Sequence, residues 1–228
     1  MTSTSLLIDG LDYPVLLTRH RRAKRFTMRL DKNGHVKVTT PWRFSKRNVI
    51  SFIRDHQDWI QKQQEAEKST PFHDGMIVPI EGVDHVITHI EGKGIKVTQE
   101  DGQLIVAGNI DRLPRAVERY LRKRAREIIV PLAHEKASTI GKKINRIAIK
   151  DTSTRWGSCS TKGNLNFSWR VIMAPPETLD YLVAHEVAHL QHMNHSHNFW
   201  DVCEGLSEAY SVGKSWLKKN GKMLQGFG

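Results

Sequence analysis

Only two of the 228 residues are cysteine, Cys159 and Cys203. Two cysteines build no disulfide framework, and their scarcity suits a reducing compartment. No run approaches 18 apolar residues, which excludes a membrane-spanning helix. Residues 1–11 lack the basic and long apolar stretches and the small-residue cleavage site of a secretory signal. A cytoplasmic protein with no membrane partner is therefore expected. The sequence also has no glycine-rich phosphate-binding loop, no internal repeat and no low-complexity tract. Acidic residues are few: 24 Asp and Glu stand against 35 Lys and Arg, a formal charge of +11.

That excess is uneven. Residues 1–150 hold 28 basic and 17 acidic side chains, whereas residues 151–228 hold seven of each. Basic charge on this scale suits nucleic-acid or nucleotide partners, but it determines neither fold nor chemistry. A chain of this length with 39% hydrophobic residues buries a sizeable core, which excludes disorder as its main state.

Residues 5–40 alternate as short strands, with a turn at Asp31-Lys32-Asn33-Gly34 and an interruption by the basic run from Arg19 to Arg25. Pro41 breaks the chain. Ser45 is placed to cap a helix running to about Lys68, with Val49, Phe52, Ile53, Trp59 and Ile60 at helical spacing. Short strands return over 76–107, so the boundary is expected near 110. Residues 1–110 then form a basic, β-rich region with one helix, and residues 111–228 a second domain. There Pro114 opens a long helix that Gly141 ends. Strands follow at 146–150 and 165–171, and Pro175-Pro176-Glu177 starts a helix reaching Met193-Asn194. Two shorter helices are expected over 199–209 and 211–220, the second closed by Gly221.

Five of the twelve histidines fall within thirteen residues, from His185 to His197. In the string His185-Glu186-Val187-Ala188-His189, a helix places the two imidazoles about 40° apart around its axis and roughly 6 Å along it. At that spacing both can ligate one tetrahedral Zn²⁺. Glu186, about 100° round the helix, cannot easily join them, but it can reach a water at the open coordination position and act as general base. A third ligand on the same straight helix would not converge, so the chain must turn back. His195 follows Asn194, six residues after His189, the spacing of the longer zinc motif H-E-x-x-H-x-x-G-x-x-H; here His192 takes the glycine position, so the turn is expected at Asn194. His195 is therefore the third candidate and His197 the runner-up. One zinc per chain follows.

Several further residues extend the pattern. They are Arg155-Trp156-Gly157-Ser158-Cys159-Ser160, Leu165-Asn166, Pro175, Tyr181, His185-Glu186-x-x-His189-Leu190 and Asn194-His195-Ser196-x-x-Phe199-Trp200. In these the chain resembles the YgjP-like metallopeptidases, relatives of the SprT-type zinc proteases, over essentially its whole length. The resemblance implies zinc ligands at His185, His189 and His195, a catalytic carboxylate at Glu186, and an α+β, zincin-like catalytic domain. It also puts Cys159 near the site.

The leading expectation is a zinc-dependent hydrolase cleaving peptide or protein substrates. Arg155, His197 and Tyr210 are candidates for binding substrate or stabilising an oxyanion. The strand over 165–173 is expected to form the cleft edge, where an extended peptide can pair. Two readings compete: a metal-dependent nucleotide phosphohydrolase using the same site, and a protease acting on DNA-bound proteins through the basic residues 1–150. Few aromatics (Phe26, Trp42, Phe44, Tyr120) accompany the basic runs, which weakens a single-strand stacking platform. The oligomeric state has no sequence signal.

Overall fold

A computed structural model describes residues 3–6, 15–30, 35–60, 70–152 and 155–228. The chain divides into two units, Met1–Ser69 and Thr70–Gly228. The expected boundary near 110 thus moves forty residues towards the N-terminus. The strands over 77–108 carry apolar faces (Val78, Ile80, Ile87, Leu104, Val106) that share one core with the long helix and the residues after it. Burying that face requires the helix, so strands and helix form one unit.

In the first unit, β1 (Ser3–Leu6), β2 (Val15–Arg19), β3 (Thr27–Leu30) and β4 (Val36–Thr40) form a sheet in the order β1-β2-β4-β3, with β2 and β4 parallel. Alternation buries Val15, Leu17, Val36 and Val38, and α1 (Lys46–Asp55) lays Val49 and Ile53 on them. Residues 57–60 are also helical. The turn at 31–34 and the rest of the helix expected to Lys68 lie outside the described residues.

The second unit begins with β5 (Ile77–Ile80), β6 (Val83–Ile90), β7 (Ile95–Glu100) and β8 (Gln103–Gly108), in the order β5-β6-β8-β7. The helix α2 (Leu113–Thr139) packs on β7 and β8, and its stripe of Val117, Leu121, Ala125, Ile129 and Ala133 is buried in the core they share with the rest of the unit. It ends as expected at Gly141, whose φ of +64° permits the closing bonds from Gly141 N–H to Ser138 and from Lys142 N–H to Ala137. The basic residues of α2 are partly neutralised: Arg122 pairs with Glu118, Lys123 with Glu127, and Arg124 with Glu81.

A second sheet supports the site. Its strands β9 (Arg146–Lys150), β10 (Gly157–Cys159) and β11 (Asn164–Ser168) lie in the order β10-β11-β9. The strand expected at the cleft edge is therefore central: β11 is bonded on both sides, and residues 169–173 leave it as a 3₁₀ turn. The edges are β10 and β9, and β10 is the one that lines the site hollow.

Three helices complete the unit: α3 (Pro176–Ala188), α4 (His197–Gly205) and α5 (Tyr210–Leu224). The α3 helix stops five residues before the expected Met193. The bonds Leu190 N–H to Val187 and Gln191 N–H to Ala188 tighten its last turn; turn structure runs over 189–191, and the chain bends at Met193 and Asn194, with Asn194 at negative φ. Two glycines let α5 approach closely. At Gly213 a side chain would overlap the Glu177 carbonyl and Tyr181, and at Gly221 it would meet the Trp156 indole at 3.1 Å. Gly221 thus serves packing, and the helix continues past it to Leu224. Among the described residues no helix is long and apolar enough to cross a membrane.

Candidate metal centre

The last turn of α3 presents His185 and Glu186, and its C-cap is His189. The turn and bend over 189–194 bring His195 back to them. The ligand-type nitrogens of His185, His189 and His195 then lie within 4.8 Å of one another, and Nε2 of His195 is 3.3 Å from Nε2 of His185. Two nitrogens sharing a tetrahedral ion at about 2.0–2.1 Å are separated by roughly 3.3–3.4 Å, so that pair already has the spacing of co-ligands. Nδ1 of His189 donates to the His192 carbonyl at 3.0 Å, which leaves its Nε2 lone pair for a metal. His192 contributes only this main-chain oxygen.

Both helical imidazoles stay neutral, the form a metal requires. Burial lowers the pKa of His185 to about 4, with further lowering from His189, His195 and Lys214. Burial also lowers that of His189. Aromatic rings pack against the triad. Phe199 contacts all three imidazoles at centroid distances of 4.5–5.0 Å, and Trp200 lies 5.5 Å from His195 and 5.7 Å from His185. Lys214 Nζ sits 3.9 Å over the Trp200 ring. The donor set thus fits one borderline-soft divalent ion.

Glu186 is buried, with 4% of its surface exposed, and its Oε2 has no hydrogen-bond partner among the described residues. Burial raises its pKa to about 8, and Arg155 partly offsets this. The carboxylate lies against β10 at Gly157. A Cβ there would stand 2.6 Å from Cγ and Cδ of Glu186 and would overlap Oε1. Only glycine leaves room for it.

Arg155, Gly157, Ser158, Cys159 and Met193 line a hollow of about 370 Å³ together with His185, Glu186, His189 and His195. Cys159 stays a thiol, its pKa pushed up to about 11 by burial and Glu186, and its Sγ donates to the Ser160 carbonyl. The other two candidates lie outside this lining. His197 is exposed and donates from Nδ1 to Asp201 at 2.9 Å. Tyr210 receives a hydrogen bond from Lys214 Nζ and packs on Tyr181 and Trp200, behind the imidazoles. Sequence reasoning missed Gly157 as a contact of Glu186, along with Met193 and Lys214. Glycine in a strand is itself a signal of close backbone approach, whereas nothing local marks the other two.

The buried carboxylate makes the metal-free protein sensitive to pH. Folded Glu186 keeps its proton to about pH 8, while the unfolded chain releases it near 4.5. Between those values the folded state binds more protons, so this group's contribution is fully present below 4.5 and is lost as pH rises to 8. His185 has the opposite sign, removing stability as pH falls from 6.5 towards 4. Glu186→Gln leaves His185 in place and removes the carboxyl. In melts of metal-free protein its gain over wild type should be small at pH 4.5 and reach its full size, on the order of a few kcal/mol, above pH 8. Equal gains at both pH values would contradict the burial account.

A trio of imidazoles that could hold a metal ion thus stands beside a buried carboxylate in a mixed α/β unit. The chain belongs to the YgjP-like family: it matches the description "YgjP-like, metallopeptidase domain" over residues 24–220. Among solved structures, the crystal structure of the metallopeptidase zymogen of Pyrococcus abyssi abylysin is 22% identical with a TM-score of 0.36. That likeness covers 40% of this chain and 94% of that one, and is too slight to define a fold. No curated protein matches.

Proposed function

We propose that this protein is a zinc-dependent metallopeptidase. His185, His189 and His195 hold one zinc per chain, in a zincin-like domain, and peptide or protein is the substrate. A cytoplasmic setting accords with its two free thiols. The observation that carries the reading is the convergence of three imidazole nitrogens, two of them 3.3 Å apart, next to the unpartnered Oε2 of Glu186.

When bound, zinc supplies a Lewis acid for a carbonyl oxygen and lowers the pKa of water in its coordination shell towards about 7. The remaining work falls to the chain. Glu186 accepts the attacking water's proton at Oε2 and returns it to the leaving amine. Its raised pKa suits both roles near neutral pH. The free edge of β10, at Gly157 to Cys159, pairs with an extended substrate and sets the scissile bond along the hollow. Arg155, the cation of that lining, attracts the substrate's carbonyl or carboxylate oxygens.

Zinc added to metal-free protein tests the ligand set. At a free concentration near 100 times Kd the gain is about 2.7 kcal/mol, or roughly 5–10 °C in Tm for a domain of this size. His195→Ala should lose most of that shift. A full shift in the variant would remove His195 from the site.

A further inference from the structure

We propose that the first unit carries a binding surface for single-stranded nucleic acid, centred on Trp42 at one end of its sheet. Asp31 is the only acidic residue between Asp12 and Asp55, and that interval holds twelve Lys and Arg. The sheet topology gathers many of these cations. Parallel strands β2 and β4 finish side by side, Arg19 opposite Thr40, and β3 starts at the same end with Thr27 opposite Thr39. The turn carrying Arg21, Arg22, Lys24 and Arg25 therefore leaves the sheet beside the segment carrying Trp42, Arg43, Lys46 and Arg47. The His20 N–H bond to the Thr40 carbonyl ties the two together.

Three details point to phosphate and base rather than to a solvated charged face. First, the guanidinium of Arg21 lies 5.1 Å over the Trp42 ring and that of Arg19 lies 5.2 Å over Phe44. Trp42 is nonetheless 49% exposed, which leaves ring surface on which a base can stack. The sparse aromatics that argue against a stacking platform in the sequence are thus brought to the cations. Second, these cations have no carboxylate partner among the described residues, whereas α2 of the other unit pairs three of its own. Third, Lys46 and Arg47 open α1, with no acidic residue in its first turn and no side-chain cap from Ser45. Cations there oppose the helix dipole, a local cost that a bound phosphate relieves.

Arginine outnumbers lysine six to two among the cations named. Its planar fork suits phosphate oxygens and stacking. A membrane surface fits less well, because α1 turns Val49 and Ile53 inward and exposes polar residues.

The test uses full-length protein and a short fluorescein-labelled single-stranded oligonucleotide, with anisotropy titrations across a salt series. Wild type should bind, with log K falling against log salt by about 0.7 per phosphate contact. The combined variant Arg22→Gln, Lys24→Gln, Arg25→Gln should reduce that slope by about 2. Trp42→Ala should weaken binding about tenfold and leave the slope unchanged, since stacking releases no counterions. Both sets of side chains are exposed, and an unchanged thermal melt verifies folding. Arg115→Gln with Arg119→Gln, on α2, should change neither quantity. No binding at low salt, an unaltered slope in the triple variant, or unchanged affinity in Trp42→Ala overturns the proposal. So does tight binding to phosphatidylglycerol vesicles without binding to the oligonucleotide. Because none of these readouts involves hydrolysis, they stand or fall separately from the peptidase reading.

Discussion

Glu186→Gln should lower kcat/KM for peptide hydrolysis about 10³-fold or more while leaving metal content at that of wild type. A positioned general base contributes about 10²–10⁴-fold, and glutamine fills the same volume without accepting a proton. The metal should be retained because the three imidazoles, Phe199 and Trp200 are untouched. The same substitution removes a buried, unpartnered carboxyl, so the inactive variant should also be the more stable one above pH 8 when metal-free. Metal analysis beside steady-state kinetics checks the first part. Loss of metal along with activity would mean that Glu186 supports the site rather than the reaction.

Gly157→Ala should cost about 10²-fold or more in kcat, with KM and metal content little changed. The backbone at Gly157 is an ordinary strand conformation that alanine adopts, so the substitution acts through space. The added methyl group occupies the position of the Glu186 carboxylate and pushes it off its line to the water, and a displacement near 1 Å is enough for a loss of that order. A double-mutant cycle isolates the contact. Gly157→Ala should destabilise wild type but be nearly neutral in stability once Glu186 is alanine. Equal destabilisation in both backgrounds would show that Gly157 serves strand packing alone.

The histidine string was legible because its geometry is local. His185 and Glu186 lie in one helix whose C-cap is His189, and a period of 3.6 residues determines which side chains face together. His195 was legible by its spacing from His189. The length of the return was not: the bend at Asn194 is only its last part, and tightened bonds to Val187 and Ala188 start the turn structure at His189. Longer-range features were hidden for a physical reason. Whether strand 164–168 is an edge depends on which strands flank it, and β10 is too short to register by alternation. The Lys214–Trp200 contact joins residues on two helices and has no periodic signature. The boundary was misjudged because a shift from strands to helix resembles a domain change, although α2 buries the face of the strands before it.

Charge is the other point that the structure sharpens. The excess of basic residues in the first 150 positions does not follow the strand-to-helix transition. Half of it and more belongs to Met1–Ser69, with 14 basic and seven acidic residues, while the unit holding the metal centre has 21 and 17. The larger part of the positive charge and the candidate metal centre thus reside in different units.

The most direct measurement incubates zinc-loaded wild type and Glu186→Gln with an unfolded protein and, in parallel, with nucleoside triphosphates. New amino termini are read by mass spectrometry and released phosphate or pyrophosphate by a colorimetric assay. The account predicts new amino termini from wild type alone, and phosphate release no greater than with Glu186→Gln. Glu186-dependent phosphate release without new termini would contradict it.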